Sequence, residues 1–171
     1  MIVHAAGPSW DTLEAITREA SVPVVGAGDA LVHPDKVRGC ILIVGAGLAG
    51  AELAWALSLR GQQVFLIERD GDFDEDVNLI ARIVLSRELD KCGVHVHFDT
   101  QIVGIYGDMA TVSDKNASRE LRVDAIISTV RSAPSLQELT SRVPRLVVGE
   151  SRGTRGLLGA TYSAYRAALT I

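Results

Sequence analysis

The sequence predicts an α/β domain with three layers: a Rossmann-like parallel sheet with an antiparallel β-meander on one side. Three observations carry this prediction. Cys40-Ile41-Leu42-Ile43-Val44 and the Val64-Phe65-Leu66-Ile67 core of Gln63–Glu68 are unbroken apolar runs, as in strands buried on both faces of a parallel sheet. Between them lie a glycine turn, Gly45 to Gly50, and a helix-forming stretch, Ala51 to Arg60, completing a strand–helix–strand crossover. Beyond residue 100 the spacing shortens. Gln101–Tyr106, Ala110–Ser113 and Glu120–Val123 are separated by Gly107-Asp108 and Lys115-Asn116, connections too short for a crossover helix and therefore antiparallel.

The remaining elements follow in order. Met1–Ala5 is apolar enough for a short strand, broken by Gly7-Pro8. Ser9 offers an N-cap oxygen for a helix over Trp10–Ala20, with Trp10, Leu13 and Ile16 on one face. Ser21–Val25 reads as a strand, at a sheet edge because Pro23 cannot donate to a ladder. Asp29–Val32 reads as a helical turn stopped near Pro34. Gly61 closes the crossover helix from the C′ position. A longer helix is predicted over Glu75–Lys91, with Leu79, Ile80, Ile83, Val84 and Leu85 at helical spacing and Gly93 at its end. Val94–Phe98 and Asp124–Thr129 read as strands, Leu136–Thr140 as a short helix, Leu146–Val148 as a strand ending in Gly149, and Gly156–Leu169 as a closing helix. The parallel sheet is then expected from Ile41–Val44, Phe65–Ile67, Val94–Val96, Ala125–Ser128 and Leu146–Val148. The chain is expected to be a single compact unit over 1–171, with a dinucleotide-binding core at 39–142 and flanks at 1–38 and 143–171.

Composition narrows the function. The 171 residues are 47% apolar and 22% charged, ordinary for one globular domain that needs no staple. A net charge of −4 gives no basic excess for a nucleic-acid partner. Cys40 and Cys92 form neither CxxC nor a zinc spacing, which excludes a thioredoxin-type dithiol, a four-cysteine iron–sulfur cluster and a disulfide framework. No apolar run reaches the ~18 residues that span a bilayer. The expectation is a soluble, reduced, cytoplasmic protein without a membrane partner.

Gly45-Ala46-Gly47-Leu48-Ala49-Gly50 is G-x-G-x-x-G. The pattern alone is weak, but here it follows a strand, opens a helix, and precedes an acid, Glu68, at the end of the next strand. Each residue has a physical role. Gly45 turns the chain from strand into helix. Gly47, lacking Cβ, lets a pyrophosphate approach the backbone. Gly50 lets helix and strand pack closely. The N–H groups of the first turn, together with about half a positive charge from the helix dipole, face the anion. Glu68 can accept hydrogen bonds from the adenosine ribose, and its charge opposes a 2′-phosphate, whereas Arg69 beside it can pair with one. NAD(H) is favoured; NADP(H), FAD and ADP share the ADP half that the turn would hold.

Other candidates carry less. His95 and His97, two apart on a strand, read as partly buried strand histidines rather than metal ligands, since no third ligand is nearby. His4 and His33 have no partner pattern. The run Asp70-Gly71-Asp72-Phe73-Asp74-Glu75-Asp76 lacks EF-hand spacing and reads as a solvated loop whose acids cap the next helix. Arg152, Gly153 and Arg155, close to Gly149, are equally a phosphate contact or a surface turn. Ser163 sits in no G-x-S-x-G elbow, and Trp55 reads as core. No metal site is expected, and no catalytic acid, base or nucleophile is identified.

Val44–Ala54, followed by Val64–Glu68, resembles the second nucleotide-binding motif of the pyridine-nucleotide–disulfide oxidoreductase superfamily. Val24–Leu31 is similar to the stretch that precedes this motif, and Val147–Glu150 with Gly159–Leu169 is similar to the superfamily's C-terminal ending. The order resembles the C-terminal region of the NADH:flavin oxidoreductases, the group of 2,4-dienoyl-CoA reductase, trimethylamine dehydrogenase and histamine dehydrogenase; Ser113–Leu121 leans toward the amine-dehydrogenase branch. The resemblance implies a nicotinamide- or ADP-binding domain beside a flavin-carrying domain or subunit. It also implies a flavin-side role for Gly149 and Glu150, where the family carries Gly-Asp. The family's barrel, its iron–sulfur cysteines and its first glycine motif have no counterpart in these residues. Two readings follow: an NAD(P)H-binding domain delivering hydride to a flavin held elsewhere, or a non-catalytic ADP-binding or subunit-interaction module.

Overall fold

The computed structural model describes residues 1–5, 7, 9–11, 13–75, 77–132, 143–154 and 156–170. They form two compact units, Trp10–Val130 and the pair Met1–Ser9 with Arg131–Ile171, whereas the sequence reading has one unit bounded internally at 38/39 and 142/143.

Besides the two-residue strands Ser9–Trp10 and Arg131–Ser132, the strands are β1 (Ile2–His4), β2 (Val24–Gly26), β3 (Cys40–Val44), β4 (Gln63–Ile67), β5 (Val96–His97), β6 (Gln101–Tyr106), β7 (Met109–Ser113), β8 (Ser118–Arg122), β9 (Ala125–Ser128) and β10 (Arg145–Val147). The helices are α1 (Glu14–Thr17), α2 (Ala27–Val32), α3 (Leu48–Ser58), α4 (Leu79–Lys91) and α5 (Gly156–Ala168).

In the larger unit, five strands form one parallel sheet in the order β2-β9-β3-β4-β5. The strand period of two sorts its side chains to two faces. Ile41, Ile43, Val64, Leu66, Ala125 and Ile127 pack with Ala51, Leu53, Ala54 and Leu57 of α3 and with Leu85 and Leu89 of α4. Leu42, Val44, Ile67 and Ile126 pack on the opposite face with Ile102, Ile105, Ala110 and Val112 of the antiparallel meander β6-β7-β8. The expected three layers are therefore helices, parallel sheet and meander.

Four details correct the sequence reading. The fifth strand of the sheet is Val24–Gly26, not Leu146–Val148; it lies at the edge, where Pro23 accepts from Ile126 N–H at 2.9 Å without owing a donor. The helix expected over Trp10–Ala20 is only Glu14–Thr17, because Asp11 Oδ1 accepts from Leu13 N–H at 2.8 Å and Leu13 takes φ 57°, a local turn that competes with helix. The helix expected from Glu75 begins at Leu79, capped by Asn78, whose side chain accepts from Ala81 N–H at 3.0 Å, not by the acids before it. The preceding loop is anchored by buried Phe73 and Val77, with Phe73 edge-on to Phe98. Finally, Val94–Phe98 is a strand only at Val96–His97, so the two histidines part: His95 is exposed near Asp90, while His97 is half-buried and stacks on Phe65.

The smaller unit pairs β1 with β10 in parallel, Ile2 opposite Arg145 and His4 opposite Val147. A 3-10 turn over Gly149–Arg152 leads to α5, which buries Ser163 and Ala167. The helix expected at Leu136–Thr140 lies outside the described residues. Among the described residues no helix is long and apolar enough to cross a membrane.

Candidate functional site

β3 lies between β9 and β4, so its C-terminal end leaves the sheet with a strand on either side. Both neighbours grip the turn that follows. Gly45 N–H donates to Ile67 O at 2.9 Å on the β4 side, and Thr129 N–H donates to Val44 O at 2.9 Å on the β9 side. Thr129 Oγ1 also stands 2.9 Å from Val44 O and 2.8 Å from Gly45 O, its proton shared between the two carbonyls. Sequence reasoning missed Thr129. The available signal was a hydroxyl residue at the end of a fully apolar strand, where it can satisfy carbonyls that a turn leaves open.

Conformation or close approach requires two of the three glycines. Gly45 has φ +105°, and a Cβ on it would stand 2.5 Å from Thr129 Oγ1. A Cβ on Gly50 would stand 1.9 Å from Gly45 O, so α3 touches the strand end through bare backbone. Gly47 has φ −70° and ψ 178°, which any residue adopts. Its backbone conformation therefore does not itself demand glycine. Gly47 gives α3, an 11-residue helix opened by Leu48, Ala49 and Gly50, no side-chain cap, and the dipole makes this end positive.

Glu68 follows β4, its N–H donating to His97 O at 2.9 Å. Its carboxylate turns back on the glycine turn: Oε2 accepts from Ala46 N–H at 2.7 Å, and Oε1 accepts from Asp70 N–H at 3.1 Å. The glycines and the acid meet in one half-buried corner. The acidic loop leans on the same turn through Asp74 N–H and Ala46 O at 3.4 Å. Arg69 is exposed, 3.6 Å from the Asp70 carboxylate.

Gly149 and Glu150 belong to the smaller unit. Gly149, at φ +68°, donates its N–H to the buried Ser163 Oγ at 2.8 Å, which gives Ser163 a structural role. Glu150 Oε1 lies 3.9 Å from Arg131, while Oε2 is buried with no hydrogen-bond partner. Arg152 is exposed, Gly153 ends the 3-10 turn at φ +86°, and Arg155 lies outside the described residues. Trp55 is partly buried against the core. Burial, reinforced by the Asp124 carboxylate, pushes the Cys40 thiol up and disfavours its thiolate. Burial, with Arg119 and His95 adding repulsion, holds the His97 imidazole below its usual range and keeps it neutral. Among the described residues no three His, Cys, Asp or Glu side chains gather to hold a metal ion.

Replacing Thr129 by Val keeps the shape and removes the hydroxyl from both carbonyls. The expected cost is about 1 kcal/mol, read as a fall of about 2–4 °C in melting temperature for a chain of this size.

Comparisons with known proteins fit this geometry. The family model for pyridine nucleotide-disulphide oxidoreductase matches residues 11–143. A bilirubin reductase of Mediterraneibacter gnavus (strain CC55_001C) is 26% identical over 135 residues, covering 79% of this chain and 21% of that protein. A 2-naphthoyl-CoA reductase, solved in complex with 2-naphthoyl-CoA, shares the fold at a TM-score of 0.81 and 17% identity, covering 99% of this chain and 26% of its own. Histamine dehydrogenase from Rhizobium sp. 4-9 does so at 0.80 and 18%, covering 97% and 30%. The chain thus spans less than a third of the length of each of these proteins.

Proposed function

Because the chain belongs to the pyridine nucleotide-disulphide oxidoreductase family, we propose that it is the NAD(P)H-binding domain of a flavin-dependent oxidoreductase. In this reading it holds NAD(H) with the nicotinamide directed at a flavin carried by another domain or subunit, as in the NADH:flavin oxidoreductase group. The family carries an oxidoreductase role and a cofactor class, FAD or NAD(P). The observation that favours a dinucleotide at this corner is the Glu68–Ala46 hydrogen bond, which joins acid and glycine turn beside a Gly47 whose backbone conformation does not demand glycine. When bound, the nicotinamide supplies the hydride; the protein binds and orients it.

The roles divide among named groups. Backbone amides of Gly47–Gly50 face the pyrophosphate, and Glu68 exchanges its contact with Ala46 for the ribose hydroxyls. Arg69 sits against Asp70, whose carboxylate competes with a 2′-phosphate for it. Gly149 and Glu150 are assigned to the flavin side, a role supported by the unpartnered Glu150 Oε2. The smaller unit supports a further polypeptide: among the described residues β1 and β10 pair as a two-stranded sheet, and α5 turns Leu157, Leu158, Tyr162 and Tyr165 to solvent.

Titration of the purified chain with NADH, NADPH and ADP, followed by nicotinamide fluorescence and melting temperature, tests the reading. A clear NADH preference supports hydride delivery. Equal stabilisation by NADH and ADP would leave the ADP-binding module, and no stabilisation by any of them would leave a subunit-interaction role. Glu68→Gln removes the charge that opposes a 2′-phosphate. Its affinity for NADPH relative to NADH is expected to rise by about tenfold, the equivalent of about 1.4 kcal/mol. An unchanged ratio would remove the basis for preferring NAD(H).

A further inference from the structure

The loop that follows β4 and carries Glu68 is held from behind by two consecutive amides. Asp99 N–H donates to Asp70 O at 3.1 Å, and Thr100 N–H donates to Glu68 O at 2.8 Å. Asp70 N–H in turn donates to Glu68 Oε1 at 3.1 Å. Asp70 is thus fixed through both its amide and its carbonyl, and the Glu68 carboxylate is fixed through Asp70. A Cβ built on Gly71 would stand 3.6 Å from either oxygen of the Asp99 carboxylate, so that carboxylate lies alongside the same loop.

Successive N–H groups face one side only where the chain leaves the extended conformation, and Asp99 does so with φ 53°. Among the described non-glycine residues only Leu13 shares a positive φ. Asp and Asn tolerate this region, whereas other side chains adopt it at a cost that the surroundings must offset. The surroundings here do so. Thr100 is buried, and its Oγ1 donates to Phe98 O at 2.9 Å. Lys115 Nζ stands 2.7 Å from Asp99 Oδ1. Lys115 is presented by the turn between β7 and β8, where Asp114 Oδ1 accepts from Asn116 N–H at 2.7 Å and Ala117 N–H at 2.9 Å.

We propose that Asp99 is a positioning residue of the nucleotide site. Its left-handed backbone sets Asp70, Asp70 aims the Glu68 carboxylate at the glycine turn, and Lys115 steadies Asp99 from the meander. What Glu68 then holds rests on the nucleotide reading above; that Asp99 sets the Glu68–Ala46 contact does not.

The test compares Asp99→Ala, Asp99→Asn, Asp99→Gly and Lys115→Met by two readings. One is hydrogen exchange and chemical shift of the Ala46 amide in the nucleotide-free chain; the other is affinity for ADP by calorimetric titration. Asp99→Ala disfavours the left-handed conformation and is expected to lower Ala46 protection and ADP affinity by about tenfold each. Asp99→Asn and Asp99→Gly keep that conformation, and Lys115→Met removes only an exposed ion pair, so these three are expected to stay within about threefold of the parent. Should Asp99→Ala unfold on purification, the same readings in trimethylamine N-oxide, which favours the compact chain, preserve the comparison. An Asp99→Ala chain with a lowered melting temperature but an unmoved, protected Ala46 amide overturns the proposal, because Asp99 then serves stability alone. Asp99→Gly and Asp99→Asn as impaired as Asp99→Ala overturn it too, since the carboxylate and not the backbone would act. A parent that binds no ADP removes the nucleotide reading and leaves the Ala46 amide to decide whether Asp99 positions Glu68.

Discussion

Gly47→Val is expected to abolish measurable nucleotide binding while leaving the fold intact. Gly47 lies in extended backbone open to any residue, so a valine meets no conformational penalty there. Gly47 is the half-buried N-cap of α3, where valine caps less well than glycine, so a cost of about 1 kcal/mol is expected, too little to unfold the chain. Outside the fold the outcome differs, because two methyl groups would stand where the pyrophosphate has to meet the backbone. A loss of about a hundredfold in affinity for ADP and NADH corresponds to about 2.7 kcal/mol. Calorimetric titration measures the loss, and thermal unfolding checks that the chain is intact. An equal affinity in parent and variant would place the nucleotide elsewhere.

Gly50→Ala is expected to do the reverse and damage the fold first. The added methyl would stand 1.9 Å from Gly45 O, a backbone atom held by neighbouring strands and unable to swing aside as a side chain would. Overpacking of this kind costs about 3 kcal/mol, at the upper end of its usual range. For a chain of this size that lowers the melting temperature by about 6–12 °C. Differential scanning calorimetry reads it directly, and a shift below 2 °C would show that α3 can slide away from the strand end at little cost. The two variants separate the glycine that shapes the corner from the glycine that leaves it open.

Much of this corner was legible in the sequence because its determinants are local. Apolar runs such as Ile41–Val44 can be buried only on both faces, and a glycine turn followed by helix formers leaves few alternatives. The acid at Glu68 was recognisable by its place at the end of the next strand. Its hydrogen bond to Ala46 was not, since it depends on the register that sets β3 beside β4. Thr129 was hidden for the same reason, its partners lying far away in sequence and meeting it only through the sheet. The misplaced helix starts had local causes that compete closely: Asp11 and Asn78 each offer a side-chain oxygen to a backbone amide, and only packing decides whether the outcome is a turn or a cap. The strand at Ser21–Val25 was legible as an edge strand through Pro23, but not as the edge of this particular sheet, because apolar content does not say which of two parallel sheets a short strand joins.

The central claim is that backbone amides at the start of α3 hold the diphosphate of an adenine dinucleotide while Glu68 takes its ribose. Amide chemical-shift mapping of the isotopically labelled chain during titration with NADH tests it most directly. The largest shifts are predicted at Ala46–Gly50, with a clear response at Glu68 and Asp70 as the carboxylate leaves the Ala46 amide. Saturable shifts confined to other parts of the chain, with Ala46–Gly50 unmoved, would contradict it.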